Sequence, residues 1–148
     1  MSRFLRKSLI ILFAAMACLP LTAQVRHVTT VNPMAPGQRG YIEVYEFEYV
    51  DVQPQFPGGE HGLMNFINKT REYPYEAYKN HIQGRVVCSF IVGADGKVSN
   101  VRVLRGVRDE SLNREAMRVI SAMPRWEAGR VGGQAVNVRC VLPISFRL

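Results

Sequence analysis

The clearest pattern along the 148 residues runs from Arg85 to Val92, where Val86, Cys88, Phe90 and Val92 alternate with Arg85, Val87, Ser89 and Ile91. Period two is the signature of a strand with one buried face. Gly93-Ala94-Asp95-Gly96 follows as a tight hairpin turn, because Asp-Gly tolerates positive φ. Lys97 to Val107 then returns as a second strand with Val101 and Val103 inward. Asp109 or Ser111 can cap a helix, and Leu112, Ala116, Val119, Ile120 and Met123 recur at helical spacing until Pro124 ends the run. Gly129 to Gln134 reads as a loop. Ala135 to Leu148 reads as a long final strand with Val136, Val138, Cys140, Leu142, Ile144 and Phe146 on one face.

Upstream the periodicity is helical. Gly59 to Thr70 carries Leu63, Phe66, Ile67 and Thr70 at spacings of three and four, a short amphipathic helix that needs a surface to lie on. Pro74 is well placed to start a second helix, with Ala77, Tyr78 and Ile82 on one side and Gly84 turning out of it. Tyr41 to Val52 is dense in β-branched and aromatic residues with Glu43, Glu46, Glu48 and Asp51 interleaved, which predicts an extra strand. Such an acidic, apolar stretch is also suited to occupying the sheet edge of its own domain or a neighbour's. Gln53 to Gly59 breaks it, and residues 24–40 are polar, punctuated by Pro and Gly, and read as a flexible lead-in.

The predicted fold class is therefore α+β. A hairpin followed by a helical crossover makes a three-stranded, antiparallel-type sheet of order 2-1-3 with helices packed on one face. A short N-terminal helix and the extra strand complete it, and the last strand forms an edge.

The start of the chain concerns compartment rather than fold. Arg3, Arg6 and Lys7 precede an apolar run from Leu9 to Ala17, and Ala23 offers a small residue for cleavage. That is the layout of a secretory signal peptide, with an apolar run shorter than the roughly 20 residues of a spanning helix. The expected organisation is a leader at 1–23, a linker at 24–57 and a folded domain at 58–148, located in the periplasm. Two alternatives are a retained anchor and lipidation of Cys18 after Ala15-Met16-Ala17. Taking the three basic leader residues from the 19 leaves 16 against 12 acidic, so the formal charge falls from +7 to +4. The arginines of the last half stand singly with no aromatic interleaving, which does not support nucleic-acid binding.

Candidate chemistry changes little. His27, His61 and His81 are isolated, with no metal-ligand spacing to a cysteine or carboxylate, so no metal or cofactor is expected. Gly58-Gly59-Glu60-His61-Gly62 lacks the Lys-Ser/Thr ending of a phosphate loop, and Ser89 and Ser111 have no glycine-flanked elbow. The chain is not expected to be an enzyme. Cys88 and Cys140 share the inward parity of two strands placed side by side. They form either a disulfide or two buried thiols in the core.

Residues 73–148 resemble the C-terminal domain of TonB-family proteins. The likeness is carried by Tyr73-Pro74, Gly84, the strand from Arg85 to Val92, the Asp95-Gly96 turn, Ala116, Pro124-Arg125-Trp126 and the closing Val141 to Leu148. The Pro54 to Glu60 run and its helix, within residues 53–72, resemble an extension found in some TonB-like proteins. Each marker also has a plain physical role. Tyr73 and Trp126 suit core aromatics with a polar edge, while Pro74, Gly84 and Gly96 are backbone-geometry residues.

The resemblance implies binding of outer-membrane TonB-dependent receptors, which donate a short segment as an added strand, and so a link to transport across that membrane. An exposed edge strand presents the unpaired N–H and C=O groups this needs. The acceptor would be Val138, Arg139, Cys140, Val141, Leu142, Ile144 and Arg147 on the last strand, with Arg139 and Arg147 favouring an acidic peptide. A full energy transducer of this family implies a membrane helix with a polar histidine and a Pro-rich span. Residues 8–22 contain no histidine, and no long Pro-rich run follows them. The expectation is therefore a periplasmic accessory domain that touches membrane only through an uncleaved leader or a lipid. The alternative is an envelope domain that self-associates, as a homodimer for instance, without energy transduction.

Overall fold

The computed structural model describes residues 27–33 and 39–148, with side chains from residue 42 onward. The expected leader and Cys18 lie outside the described residues. Strands β1 (His27–Pro33) and β2 (Arg39–Glu46) come first, followed by a 3-10 turn at Phe47–Tyr49. Helices α1 (Gly59–Thr70) and α2 (Tyr75–Lys79) precede the hairpin of β3 (Gly84–Val92) and β4 (Val98–Arg105). Helix α3 (Glu110–Ser121), β5 (Gly129–Val131) and β6 (Gln134–Phe146) close the chain. The sheet order is β1-β2-β6-β3-β4, with β5 pairing back onto β6.

The α+β class and the predicted 2-1-3 order hold within this larger sheet, since β3 lies between β4 and β6 and runs antiparallel to both. Val86, Cys88, Phe90 and Val92 are all buried, as are Val138, Cys140, Ile144 and Phe146 on the matching face of β6. Against that face pack Ile67 of α1, Ala77 of α2, and Leu112, Ala116, Val119 and Ile120 of α3. Helix α3 begins where its cap predicts: the Asp109 carboxylate accepts from the backbone N–H groups of Ser111 and Leu112 at 2.8 and 3.3 Å. That satisfies two donors a helix N-terminus otherwise leaves open.

Several expectations are corrected. Part of the supposed lead-in is strand: His27–Pro33 pairs antiparallel with Arg39–Glu46, in keeping with its Val-Thr-Thr-Val run. The strand expected over Tyr41 to Val52 ends at Glu46, although Val52 and Gln55 still make bridges to Arg130 and Glu127. The expected loop at 129–134 is a hairpin whose two turn residues, Gly132 and Gly133, both have positive φ (57° and 78°). That is the geometry a two-residue hairpin connection demands. Tyr78, placed inward by periodicity, is 59% exposed because α2 spans only Tyr75–Lys79. In β4 the register against β3 shifts twice, and Asn100 sits at φ 50° between the pairs Ile91↔Ser99 and Ser89↔Arg102. The extra residue lets Val98 and Val101, three apart, both pack on the core.

Candidate functional site

Strand β6 was expected to be an open edge, and along part of its length it is not. Val44, Tyr45 and Glu46 of β2 pair in parallel with Asn137, Val138 and Arg139. The Asn137 side chain fastens this contact. Its Nδ2 donates to the Glu43 carbonyl at 3.0 Å, and its Oδ1 accepts from the Ala94 N–H at 2.9 Å. The acidic segment thus occupies the edge of its own domain. Val138 and Arg139 lie beside β2, and Arg139 Nη1 stands 3.7 Å from Glu46 Oε1. That pair is partly exposed and contributes little to stability.

Beyond Arg139 the chain of β2 turns away into the 3-10 turn, and no strand among the described residues pairs with the outer edge of β6 there. Two observations show which backbone groups point outward there. Pro143 has no N–H, so its nitrogen faces away from the β3 ladder. The Ser145 carbonyl accepts from the Arg71 guanidinium, which also lies 5.8 Å from the centre of the Phe146 ring. Strand alternation then directs the N–H and C=O of Val141, and the C=O of Pro143, to the open side. The free window therefore spans residues 140–144, closed by β2 at one end and Arg71 at the other. At roughly 3.3 Å per residue it is about 16 Å long.

A cleft of about 570 Å³ lies along the first part of this window. Cys140, Val141 and Leu142 form its β6 wall, Gln53 to Phe56 and the start of α1 stand opposite, and Phe90 and Trp126 line it from the core. Trp126 packs edge-on against Phe56, with ring centres 5.5 Å apart at 90°. Its Nε1 is buried with no hydrogen-bond partner among the described residues.

Of the seven edge residues named from sequence, Cys140, Val141 and Leu142 line the cleft together with Arg139. Ile144 is 1% exposed and by the same alternation turns its backbone groups toward β3, so it offers the open edge neither side chain nor ladder group, while Arg147 is exposed beyond the end of β6. Glu46 belongs to the acidic stretch that sequence marks as suited to a sheet edge, whereas Arg71 and Asn137, which also bound the window, act through partners far away in sequence and carry no local signal.

The family-motif residues are mainly architectural. Tyr73 donates its hydroxyl to the Ile82 carbonyl and packs edge-on against Phe146 at 5.8 Å. Pro74 caps α2, and a Cβ on Gly84 would meet Val107 Cγ1 at 2.4 Å. Gly96 has φ 83°, and a Cβ there would stand 2.2 Å from the Trp126 carbonyl. The Trp126 N–H in turn donates to the Gly96 carbonyl at 2.9 Å. Asp95 accepts from the Lys97 N–H at 3.0 Å, which closes the hairpin turn.

Of the two alternatives for Cys88 and Cys140, the structure has the two buried thiols. Cys88 lies opposite Leu142 and Cys140 opposite Phe90, so the cysteines are diagonal neighbours and both are free. Diagonal positions on adjacent strands hold Cβ atoms too far apart for an S–S bond. Among the described residues, no three His, Cys, Asp or Glu side chains gather as a metal-holding group, and no helix is long and apolar enough to cross a membrane.

A family model described as "Gram-negative bacterial TonB protein C-terminal" matches residues 69–148, more than half of the chain. The chain belongs to the TonB C-terminal family. "Protein TonB" of Xanthomonas campestris pv. campestris, strain B100, is 35% identical over 79 residues, covering 52% of this chain and 34% of the relative. The same figures hold for strain ATCC 33913. The chain thus spans about a third of the length of the curated relatives it matches. The solution structure of the Helicobacter pylori TonB C-terminal domain is similar at 28% identity, covering 58% of this chain and 77% of that one, with a TM-score of 0.46. That of Pseudomonas aeruginosa is similar at 29% identity over 53% and 78%, with a TM-score of 0.45.

Proposed function

We propose that this TonB-family domain works in the periplasm, accepting an extended segment of an outer-membrane transporter as an added strand on β6, as part of TonB-dependent transport. The observation that carries the reading is the stretch of β6 between Arg139 and Ser145 whose outer edge pairs with no strand among the described residues, flanked by a cleft with an aromatic lining. Unpaired ladder groups supply affinity to any extended segment, and the cleft supplies side-chain selectivity. The reading is of a binding module, with no catalytic step.

Peptides from receptor plug segments test it by titration, with amide shifts followed by NMR. Shifts are expected to centre on residues 140–144. Val141→Pro removes the outward N–H at a position 56% exposed. It should weaken binding about tenfold, the equivalent of one well-made hydrogen bond. Ile144→Pro would be a poor probe because Ile144 is buried and pairs with Val86. Unchanged affinity in Val141→Pro, or shifts confined to another face, would rule out strand addition here. Export with cleavage after Ala23 is read by mass spectrometry of the mature N-terminus, where a lipid on Cys18 or an intact leader would refute it.

A further inference from the structure

We propose that the free window on β6 selects a guest strand with a basic flank, one bearing lysine or arginine at the end that lies beside Cys140. This rests on strand addition as the reading of the site. It also reverses the preference for an acidic peptide expected from Arg139 and Arg147.

The reason lies in the walls of the cleft. Four charged residues line it: Glu46, Glu48, Glu60 and Arg139. Arg139, the one cation among them, already faces Glu46 at 3.7 Å. Glu48 and Glu60 are exposed and make no ion pair among the described residues. The mouth of the cleft therefore carries a local charge of about minus two, within a Debye length of any guest seated against Cys140 to Leu142. Arg147 cannot offset this, since it follows the far end of β6 and is not in the cleft wall.

The chain's overall charge argues the other way, being formally +7, or +4 without the leader. A non-specific attraction would favour acidic peptides. A preference for basic ones can come only from a local acidic rim, and this makes the inference separable from bulk electrostatics.

The probes are three heptapeptides of alternating valine and threonine carrying a pair of lysines, glutamines or glutamates at one end, each made with the pair at either end. They are titrated against the full chain at low salt. In the better end order the lysine peptide should bind roughly fivefold tighter than the glutamine peptide, as two screened surface contacts would produce. The glutamate peptide should be weakest. The lysine advantage should close in Glu48→Gln/Glu60→Gln and in 0.5 M salt. A glutamate peptide that binds as tightly as the lysine peptide, or an advantage that persists in the double variant, overturns the basic-flank proposal and leaves strand addition standing. Failure of all six peptides to bind overturns strand addition itself.

Discussion

Cys88 and Cys140 sit on the core face of adjacent strands, and burial pushes their thiols up to about 11 and about 12. The fold therefore retains the neutral thiol. Neither cysteine should react with iodoacetamide at pH 8 in the folded protein, while both react fully in urea, because the thiolate is the nucleophile. The raised values also set a stability window. The unfolded chain loses these protons near the ordinary thiol value of about 9, and the folded chain holds them to about 11 or higher. Stability from these groups is fully present below pH 9 and declines as the pH rises through 11. Urea midpoints under reducing conditions should fall over that range, and the fall should be shallower in Cys88→Ala/Cys140→Ala. A disulfide would have obscured this behaviour, and side-chain parity alone allowed one. Parity places both cysteines inward but does not set the register, which leaves them diagonal.

At the scale of elements, sequence was most informative where one segment contains its own period. The inward set of β3, the stripe and cap of α3, and the limits of α1 at Gly59 and Thr70 all follow from residues a few positions apart. What sequence left hidden depends on partners brought together by the fold. Composition suggests that the Tyr41 to Val52 stretch can occupy a sheet edge, but the register that joins Glu43 to Asn137, 94 positions apart, is specified by nothing in the period of either strand. The same holds for the open window, defined as much by where β2 leaves and where Arg71 reaches as by β6 itself. Asn137 is the side chain on which this arrangement turns, since its amide holds both the β2 backbone and the β3–β4 turn. Asn137→Ala should speed amide hydrogen exchange at residues 44–46 by roughly fivefold or more, matching the loss of about 1 kcal/mol of hydrogen bonding, with β3 left protected. Equal acceleration in β3 would mean that Asn137 supports the whole sheet rather than the docking of one strand.

Taken as a whole, the molecule is a helix-covered sheet with a hairpin added at one side, and the two parts bury different faces. The main core lies between the helices and the inward face of β3 and β6. Val44 is fully buried yet belongs to the other side of the sheet, in register with Asn137, on the face that also carries Ile91. This division predicts two levels of stability. Phe146→Ala empties a position fully enclosed in the main core and should lower global stability by about 3–5 kcal/mol, read from the urea midpoint. Val44→Ala should instead loosen the hairpin, with faster exchange at residues 42–46 and a global shift below about 1 kcal/mol, because local opening need not involve the core. The variant also bears on function. With β2 released, residues 137–139 rejoin the free edge, the window lengthens from five residues toward eight, and a longer guest peptide should bind more tightly to Val44→Ala than to the parent chain. If Val44→Ala instead lowers the urea midpoint as far as Phe146→Ala, the hairpin is part of the folding unit and β6 is never longer than the window now open.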